Sequence, residues 1–540
     1  MKCQNCDEST DVEKYEAELE RIMAFNLKHF TGRERELDDM KSFARSEKSD
    51  TWITLFTGDV GIGKTNFLFK LVDELSDSPK SCVVLPFFCD IGPYSLLLDN
   101  LVYFLYYTLW KNLRAYHGFT EELDDYDGFY KARESFQRLV KYAAGKTRVV
   151  IIVDEVDSFR PCAQSESLLW LQDLPASDVR AIISCYIDEG SHIEQAKSMG
   201  AQIIDMIGFY KETAEKYIES IAVEIYDKAF EDAVREDVYL DPRLMPVLLS
   251  KVTGNPNGYA NPLFIKLLVQ RVAMTERYDY EKMKKNCKHI KDWKNTVFEY
   301  LAELIEKDPG DLWLTYRDFL DQIYEWVGVD MGYALLYSIA WSRAGLRKEN
   351  LECAWWLLTD VGKWYDPDFT KLCQCLGDFL VKGDLGQWDF SHQIFRDYYR
   401  EHTTEKDPYK DKQAEEIREL NTTMAVAVSE DRSIFGRREL MQQCRWGRAP
   451  DLAGDEIVKA GDDELTLNIY AEGLRDIIYS ENSPKPENSF LMKIIRDAKN
   501  NDSDHKQSIN NMILRVVPLL KSVIVPPEYK SYLLTKANGH

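Results

Sequence analysis

Short apolar segments alternate with longer helical patterns over residues 31–210. Five of the segments have the length and the β-branched or aromatic content of buried parallel strands. They are residues 52–56, 81–89, 148–153, 179–185 and 203–207. Between them apolar residues recur at helical spacing, as in residues 125–144. The pattern predicts an α/β domain, in which helices flank a parallel sheet.

Most of the remaining chain has the periodicity of helices. An acidic amphipathic helix is predicted over residues 12–30, and helical spacing dominates from residue 212 to 291. Residues 293–403 contain helices, a glycine-turned hairpin at residues 382–390 and a final helix, which is the order of a winged helix. Helices after residue 406 are separated by polar loops without a clean period, which suggests a short α-solenoid.

The candidate chemistry begins where the first predicted strand ends. Gly58-x-x-x-x-Gly63-Lys64-Thr65 leads directly into an apolar helix, and this strand–loop–helix order is that of a phosphate-binding P-loop. Glycines let consecutive backbone N–H groups point at one phosphate, and the helix N-terminus adds partial positive charge. Lys64 can place its ammonium between the outer phosphates, and the Thr65 hydroxyl can complete a magnesium shell. The predicted nucleotide-binding residues here are Gly58, Asp59, Val60, Gly61, Ile62, Gly63, Lys64, Thr65 and Asn66.

Acidic residues follow the third predicted strand at its carboxyl end, where ligands bind in parallel sheets. Asp154 is the predicted magnesium-side residue, and Glu155 is the predicted catalytic base that polarises a water. Asp157 is either a helix N-cap or a further acid of the site. Ser184, at the end of the fourth strand, either senses the γ-phosphate or is an ordinary strand-end serine.

Composition narrows the environment of the protein. A formal net charge of −23 disfavours non-specific attraction to nucleic acids and to anionic membrane surfaces. The apolar stretch at residues 96–110 is too short to span a bilayer, and we see no amino-terminal apolar segment typical of a secretory signal. Eleven cysteines without a framework suit a reducing compartment. These features predict a cytoplasmic protein without membrane or nucleic-acid partners.

The pair Cys3-x-x-Cys6 lies near the start of the sequence, with no second Cys/His pair nearby. It is half of a zinc site that a partner chain could complete, or part of a frayed terminus. We favour the frayed terminus.

A second motif precedes the P-loop by some two dozen residues. The sequence Phe30-Thr-Gly32-Arg33-Glu34 followed by a P-loop resembles the STAND class of signal-transduction ATPases, which includes the NACHT and NB-ARC groups. Trp170-Leu-x-x-Leu-Pro, followed by an apolar strand with Ser-Cys, looks like the nephrocystin and telomerase-associated-protein branch. The resemblance implies that Gly32 and Arg33 cover the adenine. Glu155 departs from it, because a small residue usually holds that place and an acid there is closer to AAA+ ATPases, so the identity of the hydrolytic carboxylate stays open.

The same resemblance assigns roles to two residues further along the chain. Pro262, in an Asn-Pro-Leu turn, is expected near the adenine and sugar. His392, in Phe-Ser-His before an aromatic-rich helix, is expected to reach the β-phosphate of ADP and hold a closed state. The implied domains are a helical segment (1–30), a P-loop NTPase domain (31–210), a helical lid (211–291), a winged helix (292–403) and an α-helical, possibly repeat-like region (404–540).

The sequence therefore predicts a slow, regulatory ATPase that binds ATP or ADP with Mg²⁺. It would switch between an ADP-closed state and an ATP-open state that self-associates, and its C-terminal helices would contact a protein partner. A DNA-binding, origin-initiator-like AAA+ ATPase is the rival, although the acidity and the single basic residue of the predicted wing, Lys382, argue against it. An inert nucleotide-binding scaffold is the third alternative.

Overall fold

A computed structural model describes most of the chain. The described residues are 8–46, 51–77, 80, 82–89, 98–124, 129–159, 168–175, 177–186, 191–231, 239–254, 257–287, 289–342, 345–359, 364–383, 386–401, 410–429, 431, 433–461, 463–480, 489–498, 503–520 and 527–537. The pair Cys3/Cys6 lies outside them.

The chain separates into two compact units. Unit 1 comprises Met1–Val223 and Pro242–Lys266, and unit 2 comprises Glu224–Asp241 and Leu267–His540. The five predicted domains divide the chain differently, and their boundaries stay predictions.

Unit 1 contains five strands and the helices around them. Its elements are α1 (Glu8–Leu27), α2 (Glu34–Arg45), β1 (Ile53–Thr57), α3 (Lys64–Leu75), β2 (Cys82–Phe88), α4 (Leu98–Tyr116), α5 (Phe129–Ala143), β3 (Arg148–Asp154), β4 (Val179–Ser184), α6 (Ser191–Ser198), β5 (Gln202–Asp205) and α8 (Met245–Val252). Two further helices, α7 (Lys211–Ala229) and α9 (Pro262–Tyr278), begin in unit 1 and end in unit 2.

The five strands form one sheet in the order β2-β3-β4-β1-β5, and every neighbouring pair is parallel. The predicted parallel sheet with flanking helices is confirmed. Because β4 lies between β1 and β3, the segments that follow β1 and β3 emerge at the same edge on either side of Ser184. This edge carries the candidate site.

Burial on both faces explains the apolar composition of the central strands. All five residues of β1 are buried, and so are six of the seven residues of β3. Aromatic rings join the sheet to α3, since Phe56 packs on Phe67 and Phe69 stacks on Phe88. From α1, the Tyr15 hydroxyl accepts a hydrogen bond from the Phe88 backbone N–H (2.7 Å) and donates one to the Phe88 carbonyl (3.1 Å).

Unit 2 is mostly helical, as predicted. Its remaining helices are α10 (Tyr280–Asn286), α11 (Trp293–Lys307), α12 (Leu312–Val327), α13 (Val329–Ala340), α14 (Lys348–Leu358), α15 (Asp366–Leu376), α16 (Gln393–Glu401), α17 (Lys410–Ser429), α18 (Ile434–Trp446), α19 (Pro450–Ala460), α20 (Glu464–Ser480), α21 (Phe490–Ala498), α22 (Ser503–Leu519) and α23 (Pro527–Ala537). Among the helices whose residues are described, none combines the length and apolarity that crossing a bilayer requires.

Three short strands form an antiparallel sheet in unit 2. They are β6 (Leu346–Arg347), β7 (Leu380–Lys382) and β8 (Gln387–Phe390), arranged in the order β6-β8-β7. The predicted hairpin is therefore the β7–β8 pair, with Val381 opposite Asp389. The winged-helix assignment itself stays a prediction.

A buried ion pair holds several helices of unit 2 together. The Asp308 side chain is fully buried and accepts a hydrogen bond from the Arg271 guanidinium at 2.7 Å. The Thr315 hydroxyl (2.6 Å) and the Gly310 backbone N–H (2.9 Å) donate to the other carboxylate oxygen. Groups from α9, from the turn after α11 and from α12 therefore converge on the Asp308 carboxylate. The same guanidinium donates a further hydrogen bond to the Gln322 side chain.

Replacing Arg271 with Ala should lower the free energy of unfolding by about 3–5 kcal/mol, because it leaves the Asp308 carboxylate buried without its cation. Chemical denaturation monitored by circular dichroism measures the loss. The matched control is Arg317→Ala, which breaks the exposed pair with Asp318 on α12 and should cost less than about 1 kcal/mol. Equal losses in the two variants would contradict the role of the buried pair.

Candidate functional site

The loop between β1 and α3 is tightly enclosed by unit 1. Gly61 has φ +74°, and a Cβ there would lie 2.5 Å from Leu263 Cβ. Gly63 has φ +95° at the start of α3, where a side chain would be strained even though the described residues leave the space open. The positive φ values turn the loop back toward the N-terminus of α3, as a phosphate-binding loop requires.

Lys64 is the first residue of α3, and its side chain points back into the loop. Its ammonium donates hydrogen bonds to the Gly58 carbonyl at 2.6 Å and the Asp59 carbonyl at 3.3 Å. Only 5% of the residue is exposed. Burial lowers the pKa of Lys64, while the negative charges of Asp154 and Glu155 oppose that shift. A desolvated cation therefore stands beside two acids.

Asp154 brings the two sequence motifs together. It ends β3 with 3% exposure, and its carboxylate accepts a short hydrogen bond from the Ser184 hydroxyl. Burial raises the pKa of Asp154, and hydrogen bonds from Ser184 and Thr65 and the charge of Lys64 oppose the shift. The Thr65 hydroxyl of the glycine loop thus lies near the acid that ends β3.

Ser184 is more than an isolated strand-end hydroxyl. While it donates to Asp154, it accepts a hydrogen bond from the Glu155 backbone N–H at 2.9 Å. It therefore fixes the turn after β3. Its predicted contact with the γ-phosphate stays a prediction.

Glu155 has an unusual backbone and two hydroxyl partners. Its φ of +54° lies in the left-handed region, which a non-glycine residue adopts at a cost. Its Oε1 accepts a hydrogen bond from the Tyr186 hydroxyl at 3.0 Å, and its Oε2 accepts one from the Ser158 hydroxyl at 3.3 Å. The Glu155 carboxylate lies at the same edge of the sheet as Asp154, and both of its oxygens accept hydrogen bonds from protein hydroxyls.

Asp157 lies inside a 3₁₀ turn, Val156–Ser158, so it does not serve as the N-cap of that turn. Its Oδ2 accepts a hydrogen bond from the Tyr186 backbone N–H at 2.9 Å. Its Oδ1 is buried and has no hydrogen-bond partner within the described ranges. A role of Asp157 as a further acid of the site stays a prediction.

Arg33 connects the glycine loop to another segment of unit 1. Its guanidinium donates to the carbonyls of Ile62 (3.1 Å) and Ile207 (2.5 Å) and lies 5.4 Å from the centre of the Phe209 ring. Burial lowers the pKa of Arg33. The side chain therefore links the loop to the segment after β5. Coverage of an adenine by Gly32 and Arg33 stays a prediction.

The turn at the start of α9 also contacts the loop. The Asn261 side-chain amide donates to the Val60 carbonyl at 2.8 Å, and the Leu263 N–H donates to the Gly61 carbonyl at 3.3 Å. Asn261 also caps α9, because its Oδ1 accepts from the Leu263 N–H at 2.9 Å. Pro262 is the first residue of the helix, and its contact with nucleotide stays a prediction.

Two residues of this site were absent from the sequence-based assignment. Asn261 stood beside the predicted Pro262 in the Asn-Pro pair, a frequent N-cap signal that could have identified it. Tyr186 lies two residues after Ser184, the last residue of β4, and no sequence motif marks it.

His392 lies in unit 2, just before α16, with its ring 6.0 Å from that of Phe395. Its predicted phosphate contact stays a prediction.

The oxygen ligands at this edge suit Mg²⁺. The part of the chain that the structure describes contains no group of three or more His, Cys, Asp or Glu side chains arranged to hold a metal. Mg²⁺ in phosphate-transfer sites commonly needs only one or two protein oxygens, with phosphates and waters supplying the rest. The Thr65 hydroxyl and the Asp154 carboxylate, which lie near each other, fit that requirement.

Comparisons with known proteins give limited resemblance. No family model matches the chain. A TPR repeat-containing protein of Dictyostelium discoideum is 26% identical over 163 residues, which is 30% of this chain and 9% of that protein. The chain therefore aligns with less than a tenth of the length of this curated relative.

Two solved structures share similarity with the chain at low identity. One is a STAND protein with a tetratricopeptide repeat sensor from Pyrococcus horikoshii, 14% identical with a TM-score of 0.40, covering 95% of this chain and 58% of that one. The other is Drosophila ORC bound to DNA, 12% identical with a TM-score of 0.34, covering 72% of this chain and 98% of that one. TM-scores this low do not establish a shared fold.

Replacing Asn261 with Ala should speed hydrogen exchange of the amides in residues 58–63, because it removes the bond to the Val60 carbonyl together with the helix cap. The lost cap should also cost about 0.5–2 kcal/mol of stability. Asp311→Ala is the matched control, since Asp311 caps α12 through the N–H groups of Trp313 and Leu314. Hydrogen exchange followed by mass spectrometry should show faster loop exchange for the Asn261 variant alone. Unchanged loop exchange would show that Asn261 does not restrain the loop.

Proposed function

We propose that the chain binds a nucleoside triphosphate with Mg²⁺ at the edge formed by the β1–α3 loop and the end of β3, and that it hydrolyses the nucleotide slowly. The observation that carries this proposal is the convergence of the two motifs on Tyr186, whose ring centre lies 4.8 Å from the Lys64 ammonium and whose hydroxyl and backbone N–H donate to Glu155 and Asp157. A glycine loop alone is a common turn, and an acid after a strand is equally common. Their convergence supplies a cation, a hydroxyl and a carboxylate to a single ligand.

Each group of the site has a role in this proposal. The loop amides and the N-terminus of α3 bind phosphate oxygens, and Lys64 bridges the outer phosphates. Thr65 and Asp154 would hold Mg²⁺, which would neutralise phosphate charge. Glu155 accepts a proton from a water whose oxygen joins the γ-phosphorus, while the bond from that phosphorus to the β–γ bridging oxygen breaks and ADP leaves.

We further propose that the nucleotide controls a STAND-type switch. The ADP form would be closed through Pro262 and His392, and the ATP form would be open and competent for self-association, with the C-terminal helices contacting a protein partner in the cytoplasm. Driving a two-state equilibrium from about 1:99 to 99:1 needs roughly 5.5 kcal/mol of differential binding. The contacts from Asn261 and Leu263 to the glycine loop support this proposal, because they connect the loop to the first turn of α9.

Replacing Lys64 with Ala should weaken nucleotide binding about ten- to a hundredfold, since it removes a charge-assisted contact with the phosphates. Isothermal titration with Mg²⁺–ADP and with a non-hydrolysable ATP analogue measures the change. Lys70→Ala is the matched control, because Lys70 is on the same helix but pairs at the surface with Asp73. Equal affinities for wild type and the Lys64 variant would overturn the assignment of the phosphate site.

One observation favours the rival AAA+ initiator, namely that Glu155 directly follows Asp154, as an acid does in AAA+ ATPases. The two proposals differ in their affinity for DNA. With a net charge of −23, the switch should show no DNA binding in gel-shift assays at low or moderate salt. Binding that falls steeply as salt rises would support the initiator instead, because such a slope reports released counterions. An inert scaffold predicts that Glu155→Gln changes neither turnover nor oligomeric state.

A further inference from the structure

One side chain of the site, Tyr186, contacts three of its charged groups. Its hydroxyl donates to Glu155 Oε1 at 3.0 Å, and its backbone N–H donates to Asp157 Oδ2 at 2.9 Å. Its ring faces the Lys64 ammonium, with Nζ 4.8 Å from the ring centre. Tyr186 follows β4 and therefore reaches the same edge of the sheet as the two motifs.

The hydroxyl contact occupies part of the Glu155 carboxylate. An ionised carboxylate accepts hydrogen bonds at about four lone-pair sites, and the Tyr186 hydroxyl fills one of the sites on Oε1. Burial raises the pKa of Tyr186, so its hydroxyl keeps the proton that it donates. The Ser158 hydroxyl binds the other oxygen. The two protein hydroxyls therefore compete with a water for the sites at which Glu155 would accept its proton.

The cation–π contact fixes the ring in this arrangement. A Lys ammonium over a tyrosine face is worth about 0.5–2 kcal/mol, depending on how far it is desolvated, and Lys64 is 5% exposed. The ring has few alternative orientations while its backbone N–H is bound to Asp157. Tyr186 thus links Lys64 of the glycine loop to Glu155, which follows β3.

We propose that Tyr186 is a positioning residue that restrains Glu155 and keeps hydrolysis slow. The inference rests on the proposed function, because it assigns the regulation of the same site. In this arrangement the tyrosine hydroxyl competes with the attacking water for one carboxylate oxygen. Removing the hydroxyl while keeping the ring releases Glu155 and leaves the Lys64 contact in place.

The test is Tyr186→Phe in the full chain, measured by phosphate release from Mg²⁺–ATP and by nucleotide titration. We expect kcat to rise about three- to tenfold, the range that the loss of one hydrogen bond produces. Nucleotide affinity should stay within about twofold, because the ring remains under Lys64. Tyr106→Phe is the matched control, since the Tyr106 hydroxyl accepts a hydrogen bond from the Asp124 N–H elsewhere in unit 1. It should not change kcat.

The double variant Glu155→Gln/Tyr186→Phe identifies the group through which the hydroxyl acts. Its rate should equal that of Glu155→Gln alone, and a rise in the double variant would overturn the restraint. An unchanged or lower kcat in Tyr186→Phe, or an equal rise in Tyr106→Phe, would overturn it as well. If wild type binds nucleotide but neither wild type nor Tyr186→Phe releases phosphate, the hydrolytic part of the proposed function fails together with the restraint. If wild type hydrolyses and the variant matches it, only the restraint fails.

Discussion

The proximity of the Thr65 hydroxyl to the Asp154 carboxylate is the constraint on which the rest of the site depends. The two residues lie on segments that follow different strands, and β4 separates those strands in the sheet. The gap is closed by Ser184, which lies opposite Phe56 in the register of β1 and β4 and donates to Asp154. A sheet with β1 directly beside β3 would leave no place for this hydroxyl. The strand order of unit 1 therefore determines the geometry of the site.

The charges at this edge explain why a cationic ligand suits it. Asp154, Glu155 and Asp157 lie near one another, and Lys64 is the cation whose charge acts on all three. Burial raises the pKa of Asp154, because water that would stabilise the ionised carboxylate is excluded. A magnesium ion would stabilise the ionised form, as bound cations do in phosphate sites. The buried Asp157 Oδ1, which has no partner among the described residues, is consistent with an edge that is not fully satisfied by protein groups.

Much of the sheet was predictable from sequence because strands buried on both faces leave a near-continuous apolar signal. The predicted segments at 52–56, 148–153 and 179–185 correspond closely to β1, β3 and β4. The order of the strands was not predictable, since pairing depends on tertiary packing rather than on local periodicity. The helix α19 has only a weak sequence signal, because it contains Gly454, a weak helix former, and its charged residues interrupt the apolar stripe.

The site divides in the same way. Lys64, Thr65 and Asp154 stand in motifs whose spacing follows from phosphate and metal chemistry, so sequence reveals them. The contacts of Tyr186, Arg33 and Asn261 join segments far apart in the chain. The distant partners in these contacts leave no local signature, although the Asn-Pro pair marks Asn261 itself as an N-cap. The left-handed backbone of Glu155 is a further example, because it follows from the turn that Ser184 fixes.

The central claim is that the glycine loop and Asp154, at the end of β3, bind the same ligand. Electron paramagnetic resonance with Mn²⁺ in place of Mg²⁺ tests it most directly. The account predicts one tightly bound Mn²⁺ per chain only when ATP is present, and loss of that ion in both Asp154→Asn and Lys64→Ala at the same nucleotide concentration. Tight Mn²⁺ binding without nucleotide, or binding that survives either substitution, would contradict it.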